Sequence, residues 1–122
     1  MGQRAGSKYR LKRRKDIARL FECGRRVSDA VVTLYAIENP TCDHARMGVG
    51  VSAKHGGAVV RNRIKRLCRE AFRLTRGELP GGWDYVIVPR VGGRFTLERL
   101  RGSIKALGAR VTKEESRRDG QE

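Results

Sequence analysis

The sequence predicts a single small α/β domain of the two-layer α+β kind, and three features predict it. Two short runs, "VVTLYAIE" (31–38) and "WDYVIVPR" (83–90), are rich in β-branched and aromatic residues, as strands are. Between them "AVVRNRIKRLCREAFR" (58–73) repeats its apolar residues at helical intervals, and a similar pattern closes the chain. A chain of 122 residues fits one core and leaves little room for a second.

The elements follow in order. Residues 1–14 are basic and poor in apolar residues, so a flexible N-terminal arm is expected before a domain spanning 15–111. From Lys15 to Cys23, Ile17, Leu20 and Phe21 share one helical face, Asp16 suits the first turn, and Gly24 suits the position after the last. So short a helix must dock on something to persist. Residues 31–38 form a strand stopped before Pro40, and "MGVGVSA" (47–53) forms another, with Val49 and Val51 on one face and glycines that permit close approach. The basic helix follows. "YVIV" within 83–90 is apolar on both faces, as a central strand is, and Pro89 ends it. Leu97, Leu100, Ile104, Leu107 and Val111 make a last helix that covers one sheet face, weakened by Gly102 and Gly108. The tail from 112 to 122 is expected to be disordered.

Charge narrows the partner. Lys and Arg number 28 against 13 Asp and Glu, a formal charge of +15 that calls for an anion. No stretch is long and apolar enough to span a membrane, and the first residues lack the apolar run of a signal peptide, so a cytoplasmic protein is expected. Cys23, Cys42 and Cys68 are odd in number and form no C-x-x-C pair, which suits reduced thiols. Cys42 and His44 could be half a metal site, but nothing completes it, and no metal is expected on the chain.

On the basic helix, Val60, Ile64, Leu67, Ala71 and Leu74 fall within roughly 80° and should face the core. Asn62, Lys65, Arg66, Arg69, Arg73 and Arg76 fall opposite, with only Glu70 and Glu78 near enough to neutralise any of them. A merely soluble helix mixes both signs, whereas arginines in excess suit phosphate, which guanidinium binds bidentately. Gly56 and Gly57 stand ahead of the first turn, where backbone N–H groups could meet a phosphate or simply make a turn. Asn62 suits either a cap or a nucleotide contact. Neither His44 nor His55 has an acid, serine or cysteine arranged around it, so no protein catalytic residue is expected.

"VSAKHGGAVVRNRIKRLCREAFR" (51–73), with the run R-N-R-x-K-R, resembles the signature of the protein subunit of bacterial ribonuclease P. "RLKRRKDIARLFECGRRVS" and "WDYVIVPR" are similar to that family's first helix and to its strand after the basic helix. The resemblance implies a small mixed sheet that carries the basic helix in a left-handed βαβ crossover, with helices at both termini. It implies an RNA-binding protein that assists a catalytic RNA in the Mg²⁺-dependent removal of the 5′ leader from precursor tRNA, with the metal held mainly by the RNA and one protein per RNA. By matching positions, Arg61, Asn62, Arg63, Lys65, Arg66, Arg69, Arg73 and Lys54 would contact the catalytic RNA, and Ile17, Phe21 and Tyr35 the leader. Two positions depart from the pattern: Ile17 stands where phenylalanine is usual, and Ala53 where lysine is usual. A general RNA-binding module of ribosomal type is the alternative reading; a stand-alone nuclease would need an acid/base pair that is missing.

Overall fold

A computed structural model of the chain describes the backbone of residues 6–11 and 13–121, with side chains over 8–11 and 13–113. Among the described residues, three α-helices and four strands follow one another as α1 (Arg14–Cys23), β1 (Arg25–Ser28), β2 (Val32–Glu38), β3 (Arg46–Val49), α2 (Ala58–Thr75), β4 (Trp83–Pro89) and α3 (Leu97–Gln121). The strands form one mixed sheet in the order β1-β2-β4-β3. β1, β2 and β4 run antiparallel; β3 and β4 are parallel and joined through α2, the expected strand, helix, strand unit.

Period-two alternation divides the sheet's side chains between two layers. Val32, Leu34, Ala36, Met47, Tyr85 and Ile87 are buried on the face covered by α2 and α3, where Ile64, Cys68, Phe72, Leu100, Ile104, Leu107 and Val111 meet them. Val86 faces the other way, with Tyr35, Ile37 and Val88, and packs on Leu11, Ile17 and Leu20. The "YVIV" run is therefore apolar on both faces because β4 is central and each face has a helix on it.

Several expectations need correction. β1 carries one buried apolar residue, Val27, too little for an apolar pattern to mark it as a strand. β3 is shorter than 47–53 because Pro89 has no N–H with which to continue the ladder. On α2 the buried residues are Ile64, Cys68, Ala71, Phe72 and Thr75, whereas Val60 and Leu74 are exposed. The core stripe thus lies about 60° round the axis from the one predicted. Thr75 takes a core position because its hydroxyl donates to the Ala71 carbonyl at 2.9 Å. Gly108 is buried, and a methyl group there would have to displace the Leu79 side chain.

Both ends carry secondary structure where the structure describes them. Residues 6–9 form a 3₁₀ turn, Arg10 bridges to Met47, and Leu11 is buried, its N–H donating to the Met47 carbonyl at 2.8 Å. Leu11 packs with Leu20 and Val86, and Gly48 lies beneath it, where a Cβ would meet that of Leu11 at an ordinary contact distance of 3.6 Å. The rest of the expected arm, residues 1–5 and 12, lies outside the described residues. At the other end α3 continues to Gln121, consistent with the good helix formers in "KEESRR".

Candidate nucleic-acid interface

The first turn of α2 is prepared by a short loop. Ser52 opens a 3₁₀ turn over Ala53–His55, Gly56 takes a φ of 135° that an L side chain rarely adopts, and the Gly57 carbonyl accepts the Arg61 N–H at 2.9 Å. Lys54 is exposed on this loop. Asn62 lies in the second turn and is exposed, so capping is not its role; the helix starts at Ala58 with Gly57 at the cap.

With the core stripe placed, the cations of α2 sort into two rows. Asn62, Arg63, Arg66 and Arg73 are all exposed and point away from the core within about 100°. Arg73 is tied to Glu70 by bonds of 3.0 and 2.6 Å, and these hold the Glu70 carboxyl below its usual range. Glu78, the other acid expected to neutralise this helix, instead pairs with Lys105 at 2.9 Å. The second row, Arg61, Lys65, Arg69 and Arg76, spans about 80° beside the N-terminal segment. Arg76 lies 3.6 Å from the centre of the Tyr9 ring, a cation–π contact. Partial burial, and then the charge of Arg10, press the Arg69 guanidinium below its ordinary pKa range. Arg61 Nε is buried and has no hydrogen-bond partner among the described residues. Like charges converging this way are stabilised when an anion sits between them.

On the sheet face that carries α1, opposite the face covered by α2, an aromatic cleft stays partly open. Phe21 remains 45% exposed although it is a large apolar residue on a packed helix. Its ring meets that of half-buried Tyr35 edge to face, 4.8 Å between centroids and 70° between planes. Ile17 packs one turn below in the same layer. The cleft stays open because position 50 is glycine: a Cβ there would lie 3.2 Å from Val88 Cγ2 and 3.5 Å from Phe21 Cζ. Ile17, Phe21 and Tyr35 are thus brought together, while the basic residues predicted alongside them lie on α2 and its leading loop.

Sequence reasoning missed the cations at the far end of α1. Lys8, Arg10, Arg13, Arg19 and Arg46 line a cavity of about 550 Å³ together with Asp16, Glu38 and Asp84. Buried Asp84 accepts two bonds from Arg46, at 3.0 and 2.8 Å, and one from Asn39 at 3.2 Å. The high Arg and Lys content before residue 20 was the available signal, but an arm expected to be flexible has no fixed place for its charges.

The described nucleophiles are not set up for covalent chemistry. Burial pushes the Cys68 thiol up to about 12. Cys42 Sγ lies 3.6 and 3.5 Å from the two nitrogens of His44, on the axis of neither, and those nitrogens meet oxygens instead, Nε2 the Lys8 carbonyl at 2.9 Å and Nδ1 the Asp43 carboxylate at 3.2 Å.

Comparison with known proteins assigns this arrangement. The family model for ribonuclease P matches residues 6–112. The ribonuclease P protein component of Geobacillus kaustophilus is 37% identical over 68% of this chain and 69% of its own. That of Clostridioides difficile is 34% identical over 83% of this chain and 90% of its own. Among solved structures, the RNase P protein from Thermotoga maritima superposes with a TM-score of 0.74 at 31% identity, covering 84% of this chain and 96% of that one. The Staphylococcus aureus RNase P protein gives 0.71 at 30%, covering 88% and 94%. With these matches spanning the sheet, the basic helix and the cleft, the chain belongs to the ribonuclease P protein family, as the protein component of a ribonucleoprotein that processes tRNA.

Proposed function

We propose that the two rows of α2 and the aromatic cleft divide the work of RNA recognition. The outward row, Asn62, Arg63, Arg66 and Arg73, holds phosphates of the catalytic RNA. The inner row and Lys54 extend this contact toward the cleft, where the single-stranded 5′ leader of precursor tRNA lies against Ile17, Phe21 and Tyr35. The exposed Phe21 ring carries this reading, since a half-exposed aromatic suits stacking on a base of any identity. Ile17 adds apolar surface but no ring, so the stacking platform is the Phe21–Tyr35 pair. Ala53 leaves Lys54 as the cation of its turn.

Hydrolysis belongs to the RNA and its Mg²⁺ ions, acting in the cytoplasm with one protein per RNA. What the protein supplies is charge and orientation, which hold the leader so that the scissile phosphate reaches the RNA's ions.

Site-specific crosslinking tests the division. A 4-thiouridine in the leader should crosslink to peptides containing Phe21 or Tyr35, and one in the catalytic RNA to α2. Leader crosslinks confined to α3 would reject the assignment.

A further inference from the structure

The parallel ladder between β3 and β4 ends in an unusual way. Gly50 N–H donates to the Ile87 carbonyl at 2.9 Å, so two residues on along each strand the next rung would join Ser52 N–H to the Pro89 carbonyl. That bond is not made. Ser52 N–H donates instead to His55 Nδ1 at 3.1 Å, and His55 Nε2 meets the Pro89 carbonyl at 2.7 Å. The imidazole is spliced into the ladder as a side-chain rung.

The chemistry of the two partners fixes the ring. A peptide N–H only donates, so Nδ1 must be bare; a carbonyl only accepts, so Nε2 must carry the proton. Both nitrogens are then occupied, and the ring serves the loop and not a phosphate. Its thickness holds Ser52 off β4, so the chain leaves the sheet as the 3₁₀ turn that carries Lys54 and leads through Gly56 and Gly57 into α2. On the same strand end, Val88 and Phe21 border Gly50 at the mouth of the aromatic cleft.

We infer that His55 is a positioning residue, held as the Nε2–H tautomer, whose insertion between Ser52 and Pro89 fixes the Lys54 loop beside the leader cleft for single-stranded RNA. The inference rests on the reading that the cleft takes the leader. Without the ring, Ser52 can pair directly with Pro89, which would pull Lys54 and the start of α2 toward β4. Glutamine offers an amide oxygen and an N–H in place of Nδ1 and Nε2, so His55→Gln keeps both bonds, whereas His55→Ala keeps neither.

The test has two arms. In the full-length protein labelled with ¹⁵N-histidine, long-range proton–nitrogen correlation at neutral pH should show His55 with Nε2 protonated and Nδ1 bare; an Nδ1–H ring, or one averaging between tautomers, overturns the splice. In holoenzyme reconstituted with the catalytic RNA, His55→Ala should weaken binding of a precursor with a long leader about fivefold, the scale of one lost hydrogen bond. His55→Gln should stay within twofold of the parent. An alanine variant that binds like the parent, or a glutamine variant as impaired as alanine, overturns the positioning role. The tautomer arm does not depend on RNA, so a correct tautomer in a parent protein indifferent to leader length would locate the failure in the cleft reading.

Discussion

Replacing Phe21 with leucine separates the two jobs this side chain can have. The ring is 45% exposed and contacts Tyr35 edge to face, so leucine retains most of the packing on α1 and loses the flat surface. Full truncation of a buried phenylalanine costs about 3–5 kcal/mol. A half-exposed ring replaced by another large apolar residue should cost about 1 kcal/mol of folding, mostly the aromatic pair itself. Losing one stacked base should cost about 1–3 kcal/mol of binding, or roughly 5- to 150-fold. The assay compares holoenzyme affinity for two precursors, one with a leader long enough to cross the cleft and one with a single leader nucleotide. Phe21→Leu should weaken the first and leave the second within about twofold. An equal loss for both would mean that the ring acts only through folding, and no loss for either would remove Phe21 from the RNA path.

Other expectations follow from the same geometry. Arg66→Ala should leave thermal stability within about 0.5 kcal/mol of the parent, because the side chain is exposed, and should lower the salt slope of RNA binding by about one, measured by titration over a range of salt. Phe72→Ala should do the reverse, costing about 3–5 kcal/mol by urea denaturation, since Phe72 lies in the stripe that meets the sheet. Gly102→Ala, where an added Cβ meets nothing within 4 Å, should stabilise α3 by about 0.5–1 kcal/mol; Gly108→Ala should destabilise it, and calorimetry reads both signs. A thiol reagent should modify exposed Cys23 in the native protein and reach Cys68 only on unfolding, because that thiol is buried and held at about 12; equal rates for both would contradict the core assignment.

Much of the fold could be read from periodicity, and its failures have physical causes. β2, β4 and the main part of α3 announce themselves because each is buried on a sustained pattern, Leu100, Ile104, Leu107 and Val111 being the clearest. α2 was recognised but rotated. Its apolar residues do not all face the core: Val60 and Leu74 sit toward its ends and stay exposed, while Cys68 and Thr75, less obviously apolar, are buried. Counting apolar types therefore found the helix and misjudged its face. β1 was illegible because pairing with β2 and not apolar pattern makes it a strand. In the N-terminal segment the charge hid Leu11, which packs against Leu20 and Val86, and Tyr9, which packs against Arg76; Val86 and Arg76 lie far along the chain.

The site was legible in kind more than in arrangement. Arginine excess pointed to phosphate, and the run R-N-R-x-K-R to a family. Neither could show that the arginines divide into an outward row and one beside the N-terminal segment, because that division depends on the rotation of α2. Nor could sequence assign His55, whose two partners lie three residues before it and 34 after it.

The most direct measurement is cleavage of precursor tRNA at low Mg²⁺ by the catalytic RNA alone, by this protein alone, and by the two together. The protein alone should be inactive, and the pair should cleave at the mature 5′ end faster than the RNA. Screening of about six phosphates should give log affinity a slope of roughly −4 to −5 against log salt. Cleavage by the protein alone, or an RNA activity that the protein leaves unchanged, would contradict the account.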